Sequence, residues 1–354
     1  MTDFRETSPA GRPRAWGLGV PFDGETGLFN AITDVPGVEV GYRTLALGEG
    51  VRTGVTVILP RGRTPRVQPT WAGMHSFNGN GEMTGSHWVA EAGHFTGPIA
   101  ITNTNGIGAA HEGLLRWMLA TYPHEPGDIR WFLPVAAETY DGYLSDIESF
   151  AVRPEHVAEA IAAATSGPIA EGNVGGGTGM QCYGFKGGSG TASRQVAGGA
   201  EVVGAFVQAN FGRRGELMMR GRPVGRIAEA VSPKPGDGMG SIIVVLATDA
   251  ALHSRQLEGL ARRATMGVAR TGAAGSHGSG DIFLAFSTAP YPGEGASAPD
   301  ARLTAFFDAA AAAVEEAILN ALVAAESLTG YLGRRTEALD HDLVRKVFSG
   351  EIQA

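Results

Sequence analysis

The stretch Pro235-Gly-Asp-Gly-Met-Gly-Ser-Ile-Ile-Val-Val-Leu-Ala-Thr248 decides how this chain reads. Its glycines remove Cβ hindrance and permit strained backbone dihedrals. Ser241 then opens one of the strongest apolar runs in the sequence, with the pattern of a buried strand. A hydroxyl held at the head of such a strand has what attack on the preceding carbonyl requires. Cutting of the Gly240–Ser241 bond in that way would leave a chain beginning at Ser241. Its free α-amine could then serve as general base for its own hydroxyl, the logic of N-terminal threonine enzymes. Taken alone, the stretch reads more readily as an ordinary Gly-Ser turn before a core strand.

Outward from that run, other strands are expected at Gly54–Pro60, Gly97–Asn105, Trp131–Ala137, Glu201–Asn210 and Asp281–Ser287, with a turn into a strand at Asp34–Gly41. Helices are expected at Ala109–Tyr122, Pro154–Thr165, Leu252–Arg270, Arg302–Ser327 and Asp340–Phe348. Arg61–Gln68 reads as a proline-broken loop, and Gly73–Gly85 and Glu171–Gly190 as polar, glycine-rich stretches. Fully apolar strands imply sheets covered on both faces. The order lacks the strict βαβα alternation of a doubly wound fold. A layered α/β sandwich in a single domain over residues 1–354 is the expected architecture.

Composition sets the bounds. The chain has 354 residues, 43% of them hydrophobic and 18% charged, which describes a well-packed globular protein. A formal charge of −8 and the lack of a basic stripe argue against nucleic acid as partner. The single cysteine, Cys182, excludes an internal disulfide and a cysteine-cluster zinc site, and is expected to be a buried small residue. His75, His87, His94 and His111 lack metal-ligand spacing, so no metal is expected. Gly184-Phe-Lys-Gly-Gly188 departs from the phosphate-loop pattern, and neither it nor Glu171–Gly179 fits a dinucleotide fingerprint. No apolar run reaches the length of a membrane span, and the polar N-terminus lacks a secretory pattern, so the cytoplasm is the expected location.

Polar residues gather at strand ends. Asn210 ends the run VVGAFVQAN, where a side-chain N–H could meet a developing oxyanion. A turn asparagine would look the same. Ser279 and Asp281 flank a glycine before a strand, suited to orienting an amine or relaying a proton, or simply to capping a turn. Glu138 and Tyr140 follow another strand, where a carboxylate could pair with a substrate ammonium. Asn103 and Asn105 lie at a similar place. No single one of these is diagnostic, but their shared placement at strand ends points to one site.

Together these segments resemble the self-processing L-aminopeptidase / D-esterase-amidase family, which includes the β-peptidyl aminopeptidases. The matching stretches are Phe22-Asp-Gly24, Asn30–Gly41, Phe77–Gly85, Ile101–Asn105, Glu138–Tyr143, Gly172–Gly179, Asp237–Ser241 and Ser279–Ser287. The resemblance covers nearly the whole chain. It implies an αββα sandwich similar to N-terminal-nucleophile hydrolases, with a distinct connectivity shared with ornithine acetyltransferases. It implies cleavage into a 1–240 α chain and a 241–354 β chain that stay together, commonly as a tetramer of such units. Ser241 would be the nucleophile and Asn210 the oxyanion donor. Ser279 and Asp281 would be the pair beside the nucleophile, with Asp where some relatives have Glu. Tyr140 matches a tyrosine near the reacting centre, with Tyr143 a competing match. Glu138, with Asn103 and Asn105, is the candidate for the substrate's ammonium end. The implied activity is hydrolysis of N-terminal aminoacyl amide, peptide or ester bonds without a cofactor. Acyl transfer of the ornithine acetyltransferase type and an unprocessed binding protein are the alternatives.

Overall fold

A computed structural model describes residues 2–231, 240–290 and 298–352. The loop Pro235–Met239 of the deciding stretch therefore lies outside the described residues. In chain order the strands are β1 (Glu39–Leu47), β2 (Val51–Leu59), β3 (Pro69–Gly79), β4 (His94–Thr96), β5 (Ile99–Asn103), β6 (Val135–Thr139), β7 (Gln181–Cys182), β8 (Phe185–Lys186), β9 (Gly188–Gln195), β10 (Val202–Asn210), β11 (Ser241–Thr248), β12 (Gly280–Ser287) and the short pair β13 (Leu328–Thr329) and β14 (Arg335–Thr336). The helices are α1 (Ser86–Ala92), α2 (Ile107–Thr121), α3 (Pro154–Ala162), α4 (Val224–Val231), α5 (Ser254–Arg270), α6 (Leu303–Ala324) and α7 (His341–Ser349).

Two mixed sheets result, ordered β1-β2-β5-β6 and β4-β3-β12-β11-β10-β9. Three apolar layers show how they stack. Ile58, Ile99, Ile101 and Val135 of the smaller sheet meet Phe206, Ile243, Val245, Leu284 and Phe286 of the larger one. The outer face of the larger sheet, through Val207, Val244, Leu246 and Phe283, packs on α5 and α6. The outer face of the smaller sheet, through Val55, Val57 and Ala100, packs on α2 and α3. This is the helix–sheet–sheet–helix order expected from sequence. Burial of β11 on both faces explains its unbroken Ile-Ile-Val-Val-Leu run, since neither face needs polar residues.

Helix α5 buries Leu257, Leu260, Ala261, Ala264 and Val268, the face read from periodicity. Elsewhere the structure departs from expectation. The expected strand at Trp131–Ala137 begins only at Val135, because Pro134 has no N–H to give a ladder. Trp131 is instead 60% exposed. Strands β3 and β9 and helix α4 were not anticipated. Strand β9 is Gly-Ser-Gly-Thr-Ala-Ser-Arg-Gln, polar in composition yet buried along seven of its eight positions. It is small because α6 lies directly on it: a Cβ at Gly190 would sit 2.0 Å from the Ala317 carbonyl oxygen.

Charge is buried across the same seam. Arg194 of β9 and Glu316 of α6 pair at 2.6 Å with 2% and 0% side-chain exposure. No helix among the described residues is long and apolar enough to cross a membrane.

Candidate active site

Ser241 heads β11, the strand flanked by β10 and β12 in the larger sheet. The antiparallel β10–β11 register places Asn210 opposite Ser241. The parallel β11–β12 register places Gly280 beside Ser241 on the other side. One strand further, Asn78 of β3 faces Asp281. Four strands, β3, β10, β11 and β12, thus bring their polar ends into one row. The apolar lengths of the strands fix the row, because a slip of one residue would turn every core side chain to the wrong face.

Ser241 is 5% exposed, and its hydroxyl makes no hydrogen bond with the described residues. Beside it, the Ser279 hydroxyl donates to Asp281 Oδ1 at 2.6 Å and Asn78 Nδ2 donates to Oδ2 at 2.8 Å. Burial raises the Asp281 carboxyl above its ordinary range against these two donors. The expected Ser279–Asp281 pair is therefore a real contact, and Asn78 is a partner that no local pattern marks out.

Asn210 donates through Nδ2 to the Tyr140 carbonyl at 2.9 Å and accepts through Oδ1 from the Gln181 N–H at 2.8 Å. These bonds fix its plane and bind the larger sheet to the end of β6. The Tyr140 side chain is 54% exposed and Tyr143 is 43% exposed, with the Arg334 guanidinium 5.2 Å from the Tyr143 ring centre.

Glu138 is 3% exposed on β6. Its carboxylate accepts from the Glu82 N–H at 2.9 Å and from the Thr104 hydroxyl. Desolvation raises its pKa, and these two donors oppose the rise. A carboxylate has about four acceptor directions, so both oxygens can still receive an ammonium. Gly81 connects this group to the nucleophile row. A Cβ there would lie 3.3 Å from both Glu138 Oε1 and the Gly280 Cα. Gly81 thus lies next to both the acid and the strand end that pairs with Ser241.

The two asparagines separate. Asn103 is 4% exposed, donates to Asp141 Oδ1 at 3.0 Å and accepts from the Gly106 N–H at 2.8 Å. It caps a turn and anchors a buried acid. Asn105 is exposed and donates to the Ile147 carbonyl at 3.2 Å. Behind them lies a buried couple that the sequence did not signal. Burial pushes Asp141 up to about 7 and Lys186 down to about 7, each acting electrostatically on the other. Lys186 Nζ donates to the carbonyls of Gly177 and Gly187 at 3.2 and 2.8 Å, holding the glycine-rich loop. Cys182 is fully buried and its thiol is pushed up by desolvation, which fits a packing role.

Two sheets between helix layers, with a serine heading an inner strand, define an α/β sandwich of the N-terminal-nucleophile hydrolase class. The chain belongs to peptidase family S58, whose profile matches residues 30–336. It is similar to the L-aminopeptidase D-Ala-esterase/amidase of Ochrobactrum anthropi, described as a prototype for the serine aminopeptidases and a new variant of that fold. The two are 46% identical with a TM-score of 0.89, covering 96% of this chain and 99% of the other. A Burkholderia sp. β-aminopeptidase structure is 45% identical with a TM-score of 0.86, covering 95% and 98% of the two chains. The β-peptidyl aminopeptidase BapA of Sphingosinicella microcystinivorans is 49% identical over 95% of this chain and 91% of its own.

Proposed function

We propose that this chain is an aminopeptidase and amidase whose nucleophile, Ser241, is released by self-cleavage after Gly240. The observation that carries the reading is the juxtaposition of Glu138 with the Ser241 row across Gly81. A substrate whose amino end pairs with Glu138 would present its first carbonyl to the head of β11. That arrangement suits an acyl residue with a free amine near its carbonyl, in an amide, peptide or ester. Hydrolysis of peptide and amide bonds also agrees with membership of the S58 family.

The chemistry follows from the groups present. The α-amine of Ser241 takes the hydroxyl proton as Oγ adds to the substrate carbonyl carbon. The second Asn210 amide hydrogen stabilises the anion formed on the carbonyl oxygen, while its first stays on Tyr140. The amine then returns the proton to the leaving group, and water releases the acyl residue. Asp281, held by Ser279 and Asn78, orients the new amine. Glu138 selects for the ammonium end, and the exposed Tyr140 and Tyr143 rings border the entrance. The proposed assembly is an oligomer of two-chain units in the cytoplasm; light scattering and cell fractionation test those two points.

Denaturing electrophoresis with N-terminal sequencing tests the core of the proposal. Native protein should give two bands, the smaller beginning Ser-Ile-Ile-Val. Ser241→Ala should give one full-length band and no release of nitroaniline from L-, D- or β-aminoacyl nitroanilides. Active protein that remains one intact chain would refute it. Adding ornithine to the assay separates hydrolysis from acyl transfer.

A further inference from the structure

The peptide bond assigned to self-cleavage already has a hydrogen-bond donor of its own. The Gly240 carbonyl oxygen accepts from the Gly280 N–H at 3.1 Å. Asn210, by contrast, commits one amide hydrogen to the Tyr140 carbonyl and its oxygen to the Gln181 N–H, and among the described residues it makes no hydrogen bond to the Gly240 carbonyl. We propose that the Gly280 backbone N–H, and not the Asn210 side chain, stabilises the oxyanion of self-cleavage. The chain would then hold two acyl-transfer stations, a backbone one used once and a side-chain one used at every turnover. The inference rests on self-cleavage at Gly240–Ser241.

The step balances without an outside reagent other than water. Ser241 Oγ bonds to the Gly240 carbonyl carbon, and the charge moves to the Gly240 oxygen facing the Gly280 N–H. The C–N bond then breaks, with net transfer of the hydroxyl proton to the departing nitrogen. An ester links Gly240 to Ser241 Oγ until water converts it to a carboxylate and a free hydroxyl. A donor accelerates such a step only if its bond strengthens as charge builds. At 3.1 Å the contact is at the long end of the range for an oxyanion donor and has room to tighten.

The surroundings hold that N–H still. Its neighbours Ser279 and Asp281 are locked to each other at 2.6 Å, and Asn78 holds Asp281 at 2.8 Å. The Ser279 N–H donates to the Ser276 carbonyl at 2.9 Å, and Asn80 Nδ2 donates to the Gly278 carbonyl at 2.7 Å. Gly280 itself accepts no side chain, since a Cβ would lie 2.3 Å from the Asn80 carbonyl oxygen. On the acceptor side, a Cβ at Gly240 would lie 2.1 Å from the Asn210 carbonyl oxygen. Both glycines are pressed into place by backbone, which fixes donor and acceptor before any charge develops. The Ser279–Asp281 pair thereby acquires a second use, as a clamp on the peptide plane between them.

Cell-free synthesis followed by timed denaturing electrophoresis separates the two stations. Asn210→Ala should still be cut between residues 240 and 241, within about threefold of the native rate, while its turnover of aminoacyl nitroanilides falls roughly 100-fold or more. Replacing Gly280 by glycolic acid exchanges the N–H for an ester oxygen and should slow cutting about 100-fold. An uncut Asn210→Ala chain that still melts cooperatively would overturn the proposal. So would native-rate cutting of the ester variant, which decides the matter should Asn210→Ala fail to fold. A native chain that is never cut refutes self-cleavage itself, and that is read in the native lane alone.

Discussion

Replacing Arg194 with Met should weaken the molecule without touching its chemistry. Arg194 Nη2 meets Glu316 Oε2 at 2.6 Å, and its other nitrogens donate to the Asp23 and Ser193 carbonyls, each at 2.7 Å. Methionine keeps much of the apolar stem and removes every donor. Glu316 then retains only the carboxamides of Asn30 and Asn320. Removing one member of a buried pair costs about 3–5 kcal/mol, because the other charge stays behind without its counter-ion. With an unfolding entropy of about 2.1 cal/mol/K per residue, 354 residues give about 0.7 kcal/mol/K and a Tm lower by roughly 4–7 °C. Circular dichroism melts of native, Arg194→Met, Glu316→Leu and the double variant measure this directly. The double variant should recover at least half of the loss, and nitroanilide turnover per folded molecule should stay within about threefold. A double variant no better than Arg194→Met would refute the buried-charge reasoning.

Three further outcomes follow from the site. Glu138→Gln should raise KM roughly ten- to hundredfold, the value of a charged hydrogen bond, with kcat little changed. Because burial raises the Glu138 pKa, its ionised form is lost as pH falls through that raised value, so native KM should climb at a pH above the ordinary carboxylate range. The same shift makes its stability term opposite in sign, largest at low pH and lost as pH rises through the folded value; Glu138→Gln should flatten both curves in KM and melting measurements. Gly240→Ala should slow chain cutting about 100-fold on gels, since a Cβ 2.1 Å from the Asn210 carbonyl oxygen must displace the scissile bond. Asn103→Ala should lower Tm by about 1–4 °C through its two buried bonds, whereas Asn105→Ala should leave it within about 1 °C.

The sheet interior was legible where burial writes itself in apolar residues. Strands β10, β11 and β12 and the inner face of α5 announce themselves because Val, Ile, Leu and Phe must fill both layers. Strands β3 and β9 did not. The end of β3 supplies polar groups to the site, and β9 must be small to admit α6. Side-chain identity in both answers to neighbours that sequence distance hides. The same division holds at the site. Ser279 and Asp281 are two residues apart, so their contact was open to inspection of the sequence. Thr104 on Glu138 and Asn78 on Asp281 are contacts across the fold, as is the electrostatic coupling of Lys186 with Asp141, and no local pattern encodes them.

In the larger sheet, β11 and β12 lie between β3 on one side and β10 on the other, while α6 lies across β9. A cut before Ser241 would therefore leave the smaller fragment woven between strands of the larger, with Arg194 and Glu316 facing one another from separate polypeptides. Such fragments would stay joined without a covalent tether, but the history of the molecule would become one-way. The newborn chain folds as one body at a rate indifferent to dilution. Once melted, the mature pair must find itself again by collision, so recovery should grow with concentration and vanish in dilute solution. On the proposed self-cleavage, maturation would act as a ratchet: the bond that guides assembly would be spent in creating the catalyst.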